Sequence, residues 1–118
     1  MKSVREIFAE LSGRQLHAVT FVLDYLQLWF EGPGINVYNP ISILDAGRDI
    51  RSGSPGFRDA ICGQIAKIVV EVEISEDVAL AIRFGDQSQI AVSLRPDDYT
   101  GPEAFETHGF SDPTIVVG

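Results

Sequence analysis

The chain has 118 residues, 45% hydrophobic and 22% charged, the composition of a single globular domain (1–118) able to bury a core without disulfides. Nine Lys and Arg stand against seventeen Asp and Glu, a formal charge of −8. That sign speaks against functions that neutralise phosphates, so neither nucleic acid nor an anionic membrane is an expected partner; the same charge would steer a basic protein partner or simply keep the domain soluble.

The opening run Met1-Lys2-Ser3-Val4-Arg5-Glu6 carries charges where a signal peptide needs an apolar core. No later stretch has the length of a membrane span, so a cytoplasmic location is expected. Ser3 and Glu6 have the spacing of a capping box, and Val4, Ile7, Phe8 and Leu11 follow at helical intervals. These predict a short helix that Gly13 ends.

From Gln15 to Glu31 the residues are β-branched, aromatic and alternating, which predicts two strands. In the second, Leu26, Leu28 and Phe30 face one way, and Tyr25, Gln27, Trp29 and Glu31 the other. Gly32-Pro33-Gly34 forces a turn, and Ile35 to Tyr38 is the returning strand of a hairpin. Pro40 to Pro55 reads as a connecting segment whose Ile41 and Ile43 extend that strand. Ser54-Pro55 then predicts a second helix, with Phe57, Ala60 and Ile61 as its buried face and Gly63 as its end. The lone Cys62 cannot form an internal disulfide or a multi-thiolate zinc site, and its apolar setting predicts buried filler.

Ile68 to Ile74 and Val78 to Phe84 alternate as two half-buried strands. Gly85-Asp86-Gln87-Ser88 is a turn, and Ile90, Val92 and Leu94 form a third strand that stops at Pro96. A short strand is expected at Thr114 to Val117.

The halves match, approximately 3–40 against 54–96, with a C-terminal loop and strand over 97–118. Gly13 aligns with Gly63, Asp24 to Phe30 with Val78 to Phe84, and Ile35-x-Val37 with Ile90-x-Val92. The expectation is an α+β fold, in which a duplicated helix-plus-three-strand unit forms a largely antiparallel sheet of six or seven strands covered by two helices. An open sheet edge at Thr114 to Val117 also permits a homodimer.

The halves differ on their solvent side. The solvent-side positions of the second strand include Tyr25 and Trp29 in the first half but Ala79 and Ala81 in the second, and Tyr38 lies near the first pair if the hairpin forms. Tyr and Trp are favoured interface anchors, so Tyr25, Trp29 and Tyr38 are the candidate interaction surface; the alternative is that the connecting segment or the tail simply covers them.

The segment from Asp97 to His108 is the weaker candidate. Asp97, Asp98, Glu103 and His108 are the residue types of an acid/base pair or a carboxylate-histidine site. Glu103-x-x-Glu106-x-His108 fits no metal-ligand pattern, and a solvated loop pinned by Phe105 and Phe110 satisfies the same residues. No metal or cofactor is expected. There is no G-x-S-x-G, P-loop or G-x-G-x-x-G motif, and His17 alternates in phase with Val19, Phe21 and Leu23 as a partly buried strand histidine.

The stretches Phe21 to Leu28 and Ser93 to Ala104 resemble those of small bacterial proteins of about this length, a domain of unknown function. The resemblance implies a bacterial source and carries no site. The expected function is non-catalytic binding or protein interaction, on the pattern of the small immunity proteins that occupy a toxin's active site. The alternative is a small enzyme or metal- or ligand-binding domain using the Asp97 to His108 loop.

Overall fold

The computed structural model describes residues 4–111 and, for the backbone, 116–117. Helix α1 (Val4–Phe8) passes into a 3-10 turn over Ala9–Leu11, and its apolar stripe buries Ile7, Phe8 and Leu11. The proposed Ser3 cap lies outside the described residues. There follow β1 (Ala18–Val22), β2 (Tyr25–Trp29), whose burial alternates, and β3 (Gly34–Val37), an antiparallel meander with Leu28 opposite Ile35.

The first departure follows β3. The segment read as a connection is a hairpin of β4 (Ile41–Asp45) and β5 (Arg48–Arg51), and it leaves its own half to pair with a strand of the other. Helix α2 (Phe57–Cys62) begins later than Ser54-Pro55 predicts, with Gly56 at φ 87 as its N-cap. Cys62 is exposed and not core filler.

A second meander consists of β6 (Val69–Ser75), β7 (Ala79–Phe84) and β8 (Gln89–Ser93). The following loop is less irregular than its Pro and Gly content implies. It holds a 3-10 turn at Pro96–Asp98 and then β9 (Phe105–His108), which crosses back to pair with β3. Of the strand expected at Thr114 to Val117, β10 (Val116–Val117) pairs with β9; Thr114 and Ile115 lie outside the described residues.

The fold is therefore α+β and antiparallel, but the strands form two sheets and not one. Among the described residues the orders are β1-β2-β3-β9-β10 and β5-β4-β8-β7-β6. In each, a meander from one half of the chain receives, beside its third strand, a hairpin from the other half. Val37 faces Phe105 across one junction, and Val92 faces Ile41 across the other. The apolar faces of both sheets share one core with Phe8, Leu11, Phe57 and Ile61. The helices do not lie across a single sheet: α1 sits against β6, while α2 touches β1, β4 and β5.

A short backbone ladder joins the halves. Gly13 N donates to Val69 O at 2.7 Å, Leu16 N to Lys67 O at 3.0 Å, and Ala66 N to Leu16 O at 2.7 Å, with Gln15 opposite Ile68. Gly13 (φ 86) and Ala66 (φ 82) occupy the two ends of this ladder in the same left-handed conformation. Gly63, the aligned counterpart of Gly13, is instead right-handed at φ −65.

Lys67 closes the end of the second sheet. Its Nζ lies 2.8 Å from Asp86 Oδ2, 3.2 Å from Asp45 Oδ2, 3.0 Å from Ser88 Oγ and 3.1 Å from Gln64 Oε1. The contact ties the β4–β5 turn, the residues after α2 and the β7–β8 turn to one cation, and both Gln64 and Ser88 are buried. Hydrogen bonds from Lys67 and then Ser88 hold the Asp86 carboxyl well below the usual carboxylate range. Burial alone would lower the Lys67 pKa, but its bonds to Asp86 and Asp45 outweigh that and raise it. The ammonium stays charged, which unsuits it as a base for the adjacent Ser88 hydroxyl.

Candidate functional site

Strand alternation decides what reaches the outer face of the first sheet. Leu26 and Leu28 point into the core, so Tyr25, Gln27 and Trp29 point out, half-buried. On β3 the outward positions are Gly34 and Asn36, and Tyr38 follows in phase; on β9 they are Glu106 and His108. Register sets them side by side: Trp29 opposite Gly34 opposite His108, and Gln27 opposite Asn36 opposite Glu106. Tyr25, Trp29 and Tyr38 thus share one face.

Two ring contacts organise that face. Tyr25 and Tyr38 lie with centroids 5.3 Å apart, tilted at 47°, and Trp29 meets His108 edge-on at 4.6 Å. Gly34 makes the second contact feasible. A Cβ there would fall 2.5 Å from His108 Cε1 and 2.7 Å from Trp29 Cε3, so the rings close over a position that tolerates no side chain as they stand.

Asn36 is the polar centre. Its Oδ1 accepts a hydrogen bond from Gln27 Nε2 at 3.1 Å and stands 3.2 Å from His108 Nε2, which must donate to an acceptor oxygen. Burial first, then the nearby Glu106 and Glu103 carboxylates, pushes the Tyr38 phenol up against the lowering effect of Asn36. The face is therefore a set of aromatic rings locked by a side-chain amide network, in a negative local field.

The polar candidates do not assemble as one group. Asp98 Oδ2 accepts from Ser93 Oγ at 2.5 Å and anchors the 3-10 turn to β8. Asp97 is exposed, Glu103 is half-buried near Tyr38, and His108 is carried by β9 onto the aromatic face. Among the described residues no group of three His, Cys, Asp or Glu is placed to hold a metal ion. Phe105 is fully buried against Phe8, with the rings 5.6 Å apart. His17 is exposed just before β1, where its Nδ1 accepts from Glu31 N at 2.8 Å; it is not the partly buried strand residue expected.

Gln27, Gly34, Asn36 and Glu106 belong to the face although residue type alone does not single them out. The signal for Gln27 and Asn36 was present: each alternates with core residues on adjacent strands of a legible hairpin, so their amides had to face one another.

Beside this face lies an open groove of about 380 Å³, lined in part by Phe21, Asp24, Tyr25, Tyr38, Asn39 and Arg58. It continues into a smaller hollow bordered by Asp24, Tyr38, Thr100 and Glu103. The β1–β2 turn at its rim exposes Phe21, Val22 and Leu23, the last at 95%. No helix among the described residues is long and apolar enough to cross a membrane. No family model, curated protein or solved structure matches the chain.

Proposed function

We propose that the chain is a non-catalytic protein-interaction domain, of the kind that shields a cell by occupying a toxin's active site. The observation that carries this reading is the concentration of Tyr25, Trp29, Tyr38 and His108 on one sheet face, fixed by the Asn36 network and the Gly34 gap. Rings held in place before binding lose little freedom on contact, which suits an anchor. A net charge of −8 favours a basic partner and speeds encounter with it.

The same reading treats the fold as a duplicated helix-plus-three-strand unit. Support comes from register: Leu26 faces Val37 as Leu80 faces Val92, Phe30 and Phe84 are both buried, and Gln15 and Ile68, paired with each other, occupy matching places ahead of β1 and β6. On this view one copy kept a bland outer surface while the other acquired the aromatic face.

The test is affinity capture from native lysate using wild type, Trp29→Ala and, as control, Arg83→Ala from the opposite sheet. A partner retained by Arg83→Ala but bound about 30-fold more weakly by Trp29→Ala is the expected outcome, as for a central interface tryptophan. Identical captured sets from all three proteins would remove the aromatic face from consideration.

A further inference from the structure

Resting on that interaction reading, we infer that the hollow between the β1–β2 turn and the segment after β3 receives an arginine or lysine side chain of the partner protein. It seats against the Tyr25–Tyr38 ring pair, beside Asp24 and Glu103.

Two features select a cation. The first is the ring pair itself, since the faces of phenol rings attract cations and Tyr25 and Tyr38 both line the groove. The chain already makes such a contact within this groove, where the Arg58 guanidinium carbon lies 5.8 Å over the Phe21 ring.

The second feature is charge. The residues bordering the hollow include the carboxylates Asp24 and Glu103 and no basic side chain. Arg58, the basic residue lining the larger groove, is already engaged with Phe21. The upward push on the Tyr38 phenol by Glu106 and Glu103 reports the same negative field from a different group.

Carboxylate or phosphate ligands would instead meet Asp24 and Glu103 with repulsion.

The experiment titrates the ¹⁵N-labelled chain with N-acetyl-argininamide, N-acetyl-lysinamide and the neutral isostere N-acetyl-citrullinamide. Each is taken to roughly 50 mM, because a lone side chain binds at millimolar affinity at best. Saturable amide shifts at 21–26, 37–41 and 100–103 are expected with the two cations and not with citrulline. In Asp24→Asn/Glu103→Gln, whose spectrum reports whether it is folded, binding should weaken about five-fold. Shifts that match citrulline's, that scatter over the surface, or that ignore the double substitution overturn the inference. If a Trp29-dependent partner is nonetheless captured, the interaction reading stands and only the cation is wrong. Arginine-specific shifts with no Trp29-dependent partner would overturn the interaction reading and the protein source of the cation with it.

Discussion

The outer faces of the two sheets occupy corresponding positions and have opposite characters. Trp29 lies between Ala18 and Gly34 in the first sheet; Arg83 lies between Glu71 and Gln89 in the second, in ion pairs with Glu71 and Glu73. Where Tyr25, Gln27 and Asn36 stand on one face, Ala79, Ala81 and Ala91 stand on the other. The inner faces are interchangeable by comparison: Leu26, Leu28 and Phe30 against Leu80, Ile82 and Phe84, all buried. A shared core constrains both inner sets alike, whereas solvent leaves the outer sets free to diverge, so functional information concentrates in the outward positions.

Equality of the inner faces gives the largest expected effects. Phe30→Ala and Phe84→Ala should each cost about 3–5 kcal/mol, and urea unfolding should place the two within about 1 kcal/mol of each other. A large loss at one and a small loss at the other would break the equivalence of the two cores.

Lys67 tests an inequality, since the described ion-paired clamp belongs to the second sheet. Lys67→Met should lower stability by about 2 kcal/mol, less than a deeply buried pair would lose because Asp86 is half exposed. The pH dependence follows from the two shifts. The Asp86 pKa is depressed on folding, so its contribution is present above the unfolded carboxylate value near 4 and is lost as pH falls below it. The Lys67 pKa is raised, so its contribution holds below about 10.4 and is lost as pH climbs through the folded value. Wild type should therefore lose stability in acid more steeply than Lys67→Met in parallel urea titrations at pH 6 and pH 3. Parallel curves would show that the clamp is not what titrates.

The smallest effect sharpens the comparison at the ladder between halves. Ala66→Gly should stabilise by about 0.5–1 kcal/mol, because alanine is strained at φ 82, and Gly13→Ala at φ 86 should destabilise by a similar amount. Thermal unfolding of the two variants reads both signs; equal signs would deny the matched geometry.

Both meanders were legible because strands such as β6 and β8 alternate apolar and polar residues, and turns such as Gly32-Pro33-Gly34 or Gly85-Asp86 bound the runs. The aromatic face was legible for the same reason, since the period of two places Tyr25 and Trp29 opposite Leu26 and Leu28. The exchanged strands were not. Ile41 and Ile43 sit in a run rich in Ser, Gly and Asp and read only as an extension of the preceding strand, while Phe105 to His108 follow Gly101-Pro102 and look locally like loop. Their strand character comes from partners across the molecule, Val92 and Ile90 for one and Val37 and Ile35 for the other, which no local pattern reveals. His108 was misplaced on that account: as a loop residue it joined the acids, and as the last residue of β9 it joins Trp29. Gly13 was aligned with Gly63 because residue identity is visible and backbone conformation is not; Ala66 carries the matching left-handed angle.

The exchange of hairpins bears on how the chain reaches this state. The third strand of each meander keeps an open row of amides and carbonyls until β4 or β9 arrives from the other half. Neither half is then a stable folding unit, and the entropy of closing loops across the molecule must be met before either sheet is complete. Folding should be slow for a chain this short and unfolding a single all-or-none transition, with the two hairpins lost together.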